Sequence, residues 1–148
     1  EPQPILINRI NENIIINDFL NKIDIAPYAL GEFEGKVKLQ IANSEFGSSA
    51  IGKKIDSNES IEVEQKTLDT ALFEFKEGKV DIIKIDVEGL EDKILYPYLS
   101  KLEKQFLPSL IIIEDNSADW DINIIEWLTN NGFVKAGKTR GNLFLTKI

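Results

Sequence analysis

The pattern of apolar and polar positions predicts two buried strands joined by helices in the second half of the chain. Residues 80–87 carry mainly β-branched apolar side chains, which is typical of a strand covered on both faces in a parallel sheet. Residues 110–113 form a second, all-apolar strand. A helix over 90–98 and an amphipathic segment over 99–106 separate the two. Because such a crossover is right-handed, the strands should be neighbours or near neighbours.

The same pattern predicts the elements on either side. Helical spacing with Pro4 at its start predicts a helix over 4–20. Alternation predicts a strand over 23–30 and another over 36–42, which a turn joins into a hairpin. A long loop over 43–60 follows, because that segment has no period. The remaining predicted elements are a strand over 61–65, a helix over 67–73, a helix over 120–130 with Gly132 as its C-cap, and an antiparallel hairpin of 133–135 with 143–146.

Strands that alternate with helices predict an α/β fold, in which helices cover both faces of a mostly parallel sheet and an antiparallel hairpin completes the chain. With 148 residues and 43% hydrophobic content, the chain is long enough for one core and too short for two. We therefore expect a single domain over residues 1–148.

The composition restricts the chemistry. The chain has no Cys and no His, which excludes disulfides, thiolate catalysis, Cys-ligated zinc and histidine bases. Carboxylates, Lys, Tyr or water must then carry any acid–base or metal chemistry. The formal net charge of -8 argues against nucleic acid as a partner. Neither a membrane-spanning apolar run nor a signal-peptide pattern occurs, so we expect a cytoplasmic protein without a membrane partner.

Acidic residues follow both buried strands. Asp86 and Glu88 come at the end of the first strand, and Glu114 and Asp115 at the end of the second. Ligands of open α/β sheets bind at the carboxyl ends of the strands. Carboxylates gathered without a basic partner repel one another unless a divalent cation or a shared proton compensates. Oxygen ligands favour Mg, Ca or Mn, so these residues predict a cation site.

A simpler interpretation of the first pair stays open. Asp86 caps the helix that follows, and Gly89 relieves a tight turn. A second candidate site is the loop that contains Ser48 and Ser49, because small residues permit close approach of the backbone to a ligand and hydroxyl groups can orient it. The alternative for this loop is a solvated connection with no ligand.

The residues from Val80 to Gly89, followed by Glu91 and Leu95, resemble the signature of the FkbM-type methyltransferases. Its core in this chain reads Ile83-Lys84-Ile85-Asp86-Val87-Glu88-Gly89. The likeness spans nearly the whole chain, and the further matching stretches are Glu1-Pro2, Ala26 to Gly31, Gly35 to Val37, Gly47 to Ser49, Glu62 to Asp69, Pro108 to Glu114, Gly132-Phe133 and Asn142-Leu143.

This resemblance implies a class I, Rossmann-like fold that transfers a methyl group from S-adenosylmethionine (SAM) to an oxygen of a sugar or secondary metabolite. It assigns Glu1 to the ribose hydroxyls of the cofactor, and Ser48 and Ser49 to cofactor binding. By similarity, Asp86 lies beside the reacting centre, with Glu88 as a second catalytic acid.

A cation site is implied for related O-methyltransferases. In this chain, the ligands of that site would be Asp86, Glu114 and Asp115, and Mg is the candidate ion. A cation would lower the pKa of an acceptor hydroxyl and orient it in line with the methyl group.

The sequence also departs from the family. In the family, a first strand and a Gly-rich cofactor loop precede a Phe-Glu-Pro motif that Glu1-Pro2 resembles, and both are missing from this sequence. The chain also has no Met. We therefore expect an excised or processed piece of a longer protein. In the family's strand order, 3-2-1-4-5-7-6, that first strand pairs with the strand at 80–87. We therefore expect that these 148 residues alone do not bind SAM productively. We also expect a partner chain, a swapped element or the strand at 23–30 to cover the flank of the strand at 80–87.

Three hypotheses about function remain at this point. The first is a fragment of a SAM-dependent O-methyltransferase that acts on a sugar or secondary-metabolite hydroxyl. The second is a binding or assembly domain that kept the fold without catalysis. The third, a carboxylate-based metal-dependent hydrolase, explains the acids but not Glu1-Pro2 or the loop at Gly47. The acceptor cannot be read from the sequence, because its contacts would come from variable loops.

Overall fold

In a computed structural model, the chain divides into two compact units, Glu1–Thr67 and Leu68–Ile148. The structure describes residues 1–41, 50–51, 59–75 and 79–148. Both units combine helices with a four-stranded sheet, so the α/β class predicted from the sequence is confirmed. None of the helices within these described ranges is long and apolar enough to cross a membrane.

The first unit holds one helix and one sheet. Its elements are α1 (Pro4–Ile16), β1 (Ala29–Leu30), β2 (Gly35–Ile41), β3 (Ala50–Ile51) and β4 (Glu59–Lys66), with sheet order β1-β4-β2-β3. The helix begins at Pro4, as predicted, but ends before residue 20 because Asp18 adopts a positive φ of 58°. Ala29, Leu39 and Val63 form the core of the sheet.

The predicted hairpin of 23–30 with 36–42 is wrong. Only β1 is a strand within 23–30, and it pairs in parallel with β4, while β2 pairs antiparallel with β4. Pro27 has no N–H to donate to a sheet. The register places Lys36 opposite Glu64 and Lys38 opposite Glu62, so charge complementarity favours β4 as the partner of β2.

The second unit contains three α-helices and a second sheet. Its elements are α2 (Leu68–Glu74), β5 (Ile82–Ile85), α3 (Glu91–Leu99), a 3-10 helix (Lys104–Phe106), β6 (Leu110–Glu114), α4 (Ile124–Asn130), β7 (Phe133–Lys138) and β8 (Asn142–Lys147). The sheet order is β5-β6-β8-β7. Ile111 and Ile113 of β6 are fully buried, as are Leu95 and Leu99 of α3 and Leu128 of α4.

Three predictions for this unit are confirmed. β5 and β6 are parallel neighbours, the final two strands form an antiparallel hairpin, and Gly132 follows the end of α4 with a positive φ of 94°. The prediction of a mostly parallel sheet is wrong, because the described strands form two parallel and four antiparallel pairings.

The strand β5 lies at an edge of its sheet. Among the described residues it pairs only with β6, and Ile82 is 58% exposed, so the prediction of a strand covered on both faces is wrong at this end. Within the segment 23–30, the strand β1 pairs with β4. A partner chain or a swapped element as the cover stays a prediction.

Candidate active site

The candidate site lies where the parallel strands β5 and β6 end. Their register pairs Ile82 with Leu110 and continues to Ile85 with Ile113. Asp86 and Glu114 are therefore the next residues on two neighbouring strands, as the sequence predicts.

The loop after β5 makes a tight turn before α3. Glu88 and Gly89 both have positive φ angles, 57° and 100°, and Gly89 is buried. A left-handed conformation at a residue other than glycine is uncommon and needs support from its surroundings. That support comes from α3, since the Glu91 Oε1 atom accepts hydrogen bonds from the Val87 N–H at 3.1 Å and the Gly89 N–H at 3.2 Å.

This arrangement corrects the capping interpretation of Asp86. The N-cap of α3 is Leu90, which makes no side-chain capping bond. Asp86 is instead exposed and forms an ion pair with Lys84, 3.0 Å from carboxylate oxygen to Nζ. The predicted role of Gly89 in a tight turn is confirmed by its positive φ.

Glu91 also holds the loop that follows β6. Its side chain is 0% exposed. Oε1 accepts a third hydrogen bond, from Asn116 Nδ2 at 3.2 Å, and Oε2 accepts one from Trp120 Nε1 at 2.8 Å. One buried carboxylate thus joins the loops that follow the two parallel strands.

The next two residues of α3 fix the far end of the same loop. Asp92, 1% exposed, accepts hydrogen bonds through Oδ2 from the N–H groups of Asp121 at 2.9 Å and Ile122 at 3.0 Å. Lys93 places Nζ 3.2 Å from the Asp121 carboxylate. Acids in the first turn of a helix also interact favourably with the helix dipole.

The predicted cation site does not fit the observed contacts. Asp86 has a lysine partner, and Asp115 has another, Lys138, at 3.6 Å, so the premise of carboxylates without a basic partner is wrong. Glu114 accepts a hydrogen bond from Asn116 Nδ2 at 2.8 Å. Within the part of the chain that the structure describes, no group of three or more acidic side chains could hold a metal ion.

The neighbours of Asp115 perturb its titration. A hydrogen bond from the Ser117 side chain holds the pKa of its carboxyl group below the ordinary value of 3.8, and the Lys138 ammonium acts in the same direction. The charged form of Asp115 is therefore favoured in the folded protein.

The predicted cofactor residues lie in the first unit or outside the described residues. Glu1 is exposed, and its Oε1 atom accepts a hydrogen bond from the N–H of Gln3 at 2.9 Å, just before α1. Its amino group donates to the Ala26 carbonyl at 3.1 Å. Ser48 and Ser49 lie outside the described residues.

Sequence reasoning missed the roles of Glu91, Asn116 and Trp120. Glu91 belongs to the segment that resembles the family signature, but its burial could not be read from its type, because most glutamates are exposed. The sequence predicts Trp120 within a helix, whereas α4 begins only at Ile124. Trp120 therefore lies in the loop after β6, where its indole N–H donates to Glu91.

Comparisons with known proteins add the family. Neither the comparison with curated proteins nor that with solved structures found a significant match. The model of the methyltransferase FkbM domain matches residues 1–135. Since this match covers most of the chain, and the segment at the carboxyl end of β5 lies within it, the chain belongs to the FkbM methyltransferase domain family.

Proposed function

We propose that this protein is a SAM-dependent O-methyltransferase, or a part of one, and that its acceptor is a hydroxyl group of a sugar or secondary metabolite. The observation that carries the proposal is the carboxyl edge of β5 and β6, where Asp86 and Glu88 stand on a loop that hydrogen bonds to the buried Glu91 side chain connect to the loop after β6. Family membership supports methyl transfer as the reaction class.

The strand order supports a class I arrangement. The order β5-β6-β8-β7, with its antiparallel final hairpin, agrees with the 4-5-7-6 part of the order that the resemblance implies. In that order, the first strand would lie beside β5, on the side opposite β6. Within the proposal, the carboxyl ends of β5 and β6 face the reacting groups.

The acids supply the acid–base chemistry of the proposed reaction. SAM, when bound, supplies an electrophilic methyl group. Asp86 accepts the proton of the acceptor hydroxyl as its oxygen becomes methylated, and Glu88 orients that hydroxyl.

Other residues bind the cofactor in this proposal. Glu1, whose carboxylate is exposed, binds the ribose hydroxyls, and Ser48 and Ser49 bind the rest of the cofactor. The proposal uses no cation, because the lysine partners of Asp86 and Asp115 supply the positive charge beside these acids.

Among the described strands, β5 pairs with β6 alone, and this favours a second candidate, an assembly domain. Unpaired N–H and C=O groups along an edge strand can pair with a strand of another chain. In this alternative a second copy or a swapped element completes the sheet, and methyl transfer is absent.

An assay of methyl transfer separates the two candidates. The full-length gene product is incubated with SAM carrying an isotopic methyl label and with a panel of sugars and hydroxylated metabolites, and products are identified by mass spectrometry and NMR. We expect the label in a methyl ether. Label on nitrogen or carbon would overturn O-methylation, and no transfer with any acceptor, together with no SAM binding, would favour the assembly domain.

A further inference from the structure

The hydrogen bonds of Glu91 are unusual for an acid in the first turn of a helix. Glutamates are mostly exposed, and an acid in the first turn commonly interacts with the helix dipole from the surface. Glu91 is 0% exposed, and its two oxygens accept four hydrogen bonds. Two donors belong to the loop after β5, and the other two, Asn116 and Trp120, lie 25 and 29 residues away in the sequence.

The donors from the first loop flank Glu88. The Val87 and Gly89 N–H groups lie on either side of it, and Glu88 itself has a φ of 57°. A non-glycine residue in this region costs of order 1–3 kcal/mol and persists only where the surroundings determine it. The conformation of the loop that carries Asp86 and Glu88 therefore depends on Glu91.

We infer that Glu91 is a positioning residue that couples the loop after β5 to the loop after β6, so that a change in one loop shifts the other. The coupling rests on the contacts alone. Its consequence for catalysis rests on the proposed function: the acids on the first loop and the acceptor contacts on the second are held in one arrangement by a carboxylate that touches neither substrate.

The geometry singles out two variants and one control. In Glu91→Gln the side-chain amide has one oxygen, so it cannot accept from both Trp120 and the first loop. Trp120→Phe removes the N–H donor of the second loop and leaves the ring's bulk largely in place. Glu126→Gln makes the same acid-to-amide change at an exposed position of α4 and serves as the matched control.

Amide hydrogen exchange, measured by NMR, tests the coupling directly. We expect Glu91→Gln to speed exchange of the Gly89 N–H about tenfold or more, because its hydrogen bond is lost or shared. We expect Trp120→Phe to speed the same exchange severalfold, although Trp120 does not touch Gly89. Glu126→Gln should leave it unchanged. If Trp120→Phe leaves the Gly89 exchange unchanged, the two loops are not coupled, and this result is available even if Glu91→Gln fails to fold.

Kinetics of the full-length gene product test the consequence. We expect Trp120→Phe to raise the KM for the acceptor severalfold with an unchanged KM for SAM, whereas a general loss of folded protein would lower the apparent kcat alone. Equal changes in both KM values would overturn the positioning role. Absence of methyl transfer in the wild-type protein would refute the proposed function, while the exchange result would still decide the coupling.

Discussion

At the scale of single residues, acids of the same chemical type divide into two groups with different tasks. Asp86 and Asp115 lie at the surface beside lysines, where an exposed ion pair contributes at most about 1 kcal/mol. Glu91 and Asp92 are buried and serve as hydrogen-bond acceptors for two loops. The buried acids thus hold the loops after β5 and β6, and these loops carry the exposed acids.

The perturbed acid gives a prediction at this scale. The Ser117 side chain is the largest cause of the lowered pKa of Asp115, so Ser117→Ala should raise that pKa toward 3.8. Lys138→Gln should raise it by less. The measurement is a 13C NMR titration of the Asp115 carboxyl group, and a larger shift in Lys138→Gln than in Ser117→Ala would contradict the order of causes.

The direction of the pH effect follows from the sign of the shift. A carboxyl group with a lowered pKa in the folded state stabilises the fold above its unfolded pKa. This contribution is lost as the pH falls through the lowered value. The contact between Asp115 and Ser117 should therefore persist at neutral pH and disappear only in acid below pH 3.8.

At the scale of elements, the local sequence pattern was sufficient to predict several helices and strands. The start of α1, the helix α3, the strand β6 and the final hairpin all follow from periodicity and from Pro or Gly at their ends. The pairing of β2 with β4 could not be predicted in this way, because it brings together residues far apart in the sequence. Lys36 and Glu62, which are 26 residues apart, form a diagonal ion pair across the two strands at 2.7 Å. The burial of Glu91 is likewise set by residues far along the chain.

A glycine next to β1 gives a prediction for the first sheet. A Cβ atom at Gly31 would lie 2.3 Å from Cδ of Gln65, which is 3% exposed and donates a hydrogen bond to the Phe33 carbonyl at 2.9 Å. Gly31→Ala should displace Gln65 and lower the free energy of unfolding by about 1–3 kcal/mol.

The matched control is Gly137→Ala in β7, where a Cβ atom would meet nothing within 4 Å. This change should be neutral or slightly stabilising. Urea unfolding of both variants measures the difference. Equal stabilities for the two variants would show that Gln65 can move without losing its contacts.

At the scale of the whole molecule, the two edges of the second sheet differ. The edge strand β7 carries a register shift between Lys135 and Gly137 and two exposed lysines, Lys135 and Lys138, features that discourage pairing between edges. The opposite edge strand, β5, is regular in its pairing with β6 and exposes Ile82. We expect another strand to pair at β5 rather than at β7.

Sedimentation equilibrium of the 148-residue chain tests this expectation. The unmodified chain should self-associate as its concentration rises, and Ile82→Lys should abolish the association because a charge at a regular edge opposes pairing. Val134→Lys, the same kind of change on β7, should leave association unchanged. A wild-type chain that stays monomeric, or equal effects of the two lysines, would contradict the role of the β5 edge.

If methyl transfer takes place at the carboxyl end of β5, as proposed, the two ends of this strand offer a matched test. Asp86 stands at the carboxyl end of the strand, whereas Asp81 stands just before it with a side chain that is 76% exposed. The decisive measurement is kcat/KM for methyl transfer by the full-length gene product with Asp86→Asn and with Asp81→Asn. We expect a loss of about 100-fold or more for Asp86→Asn, because the amide cannot accept the proton, and no loss for Asp81→Asn. Undiminished activity of Asp86→Asn would contradict the proposal.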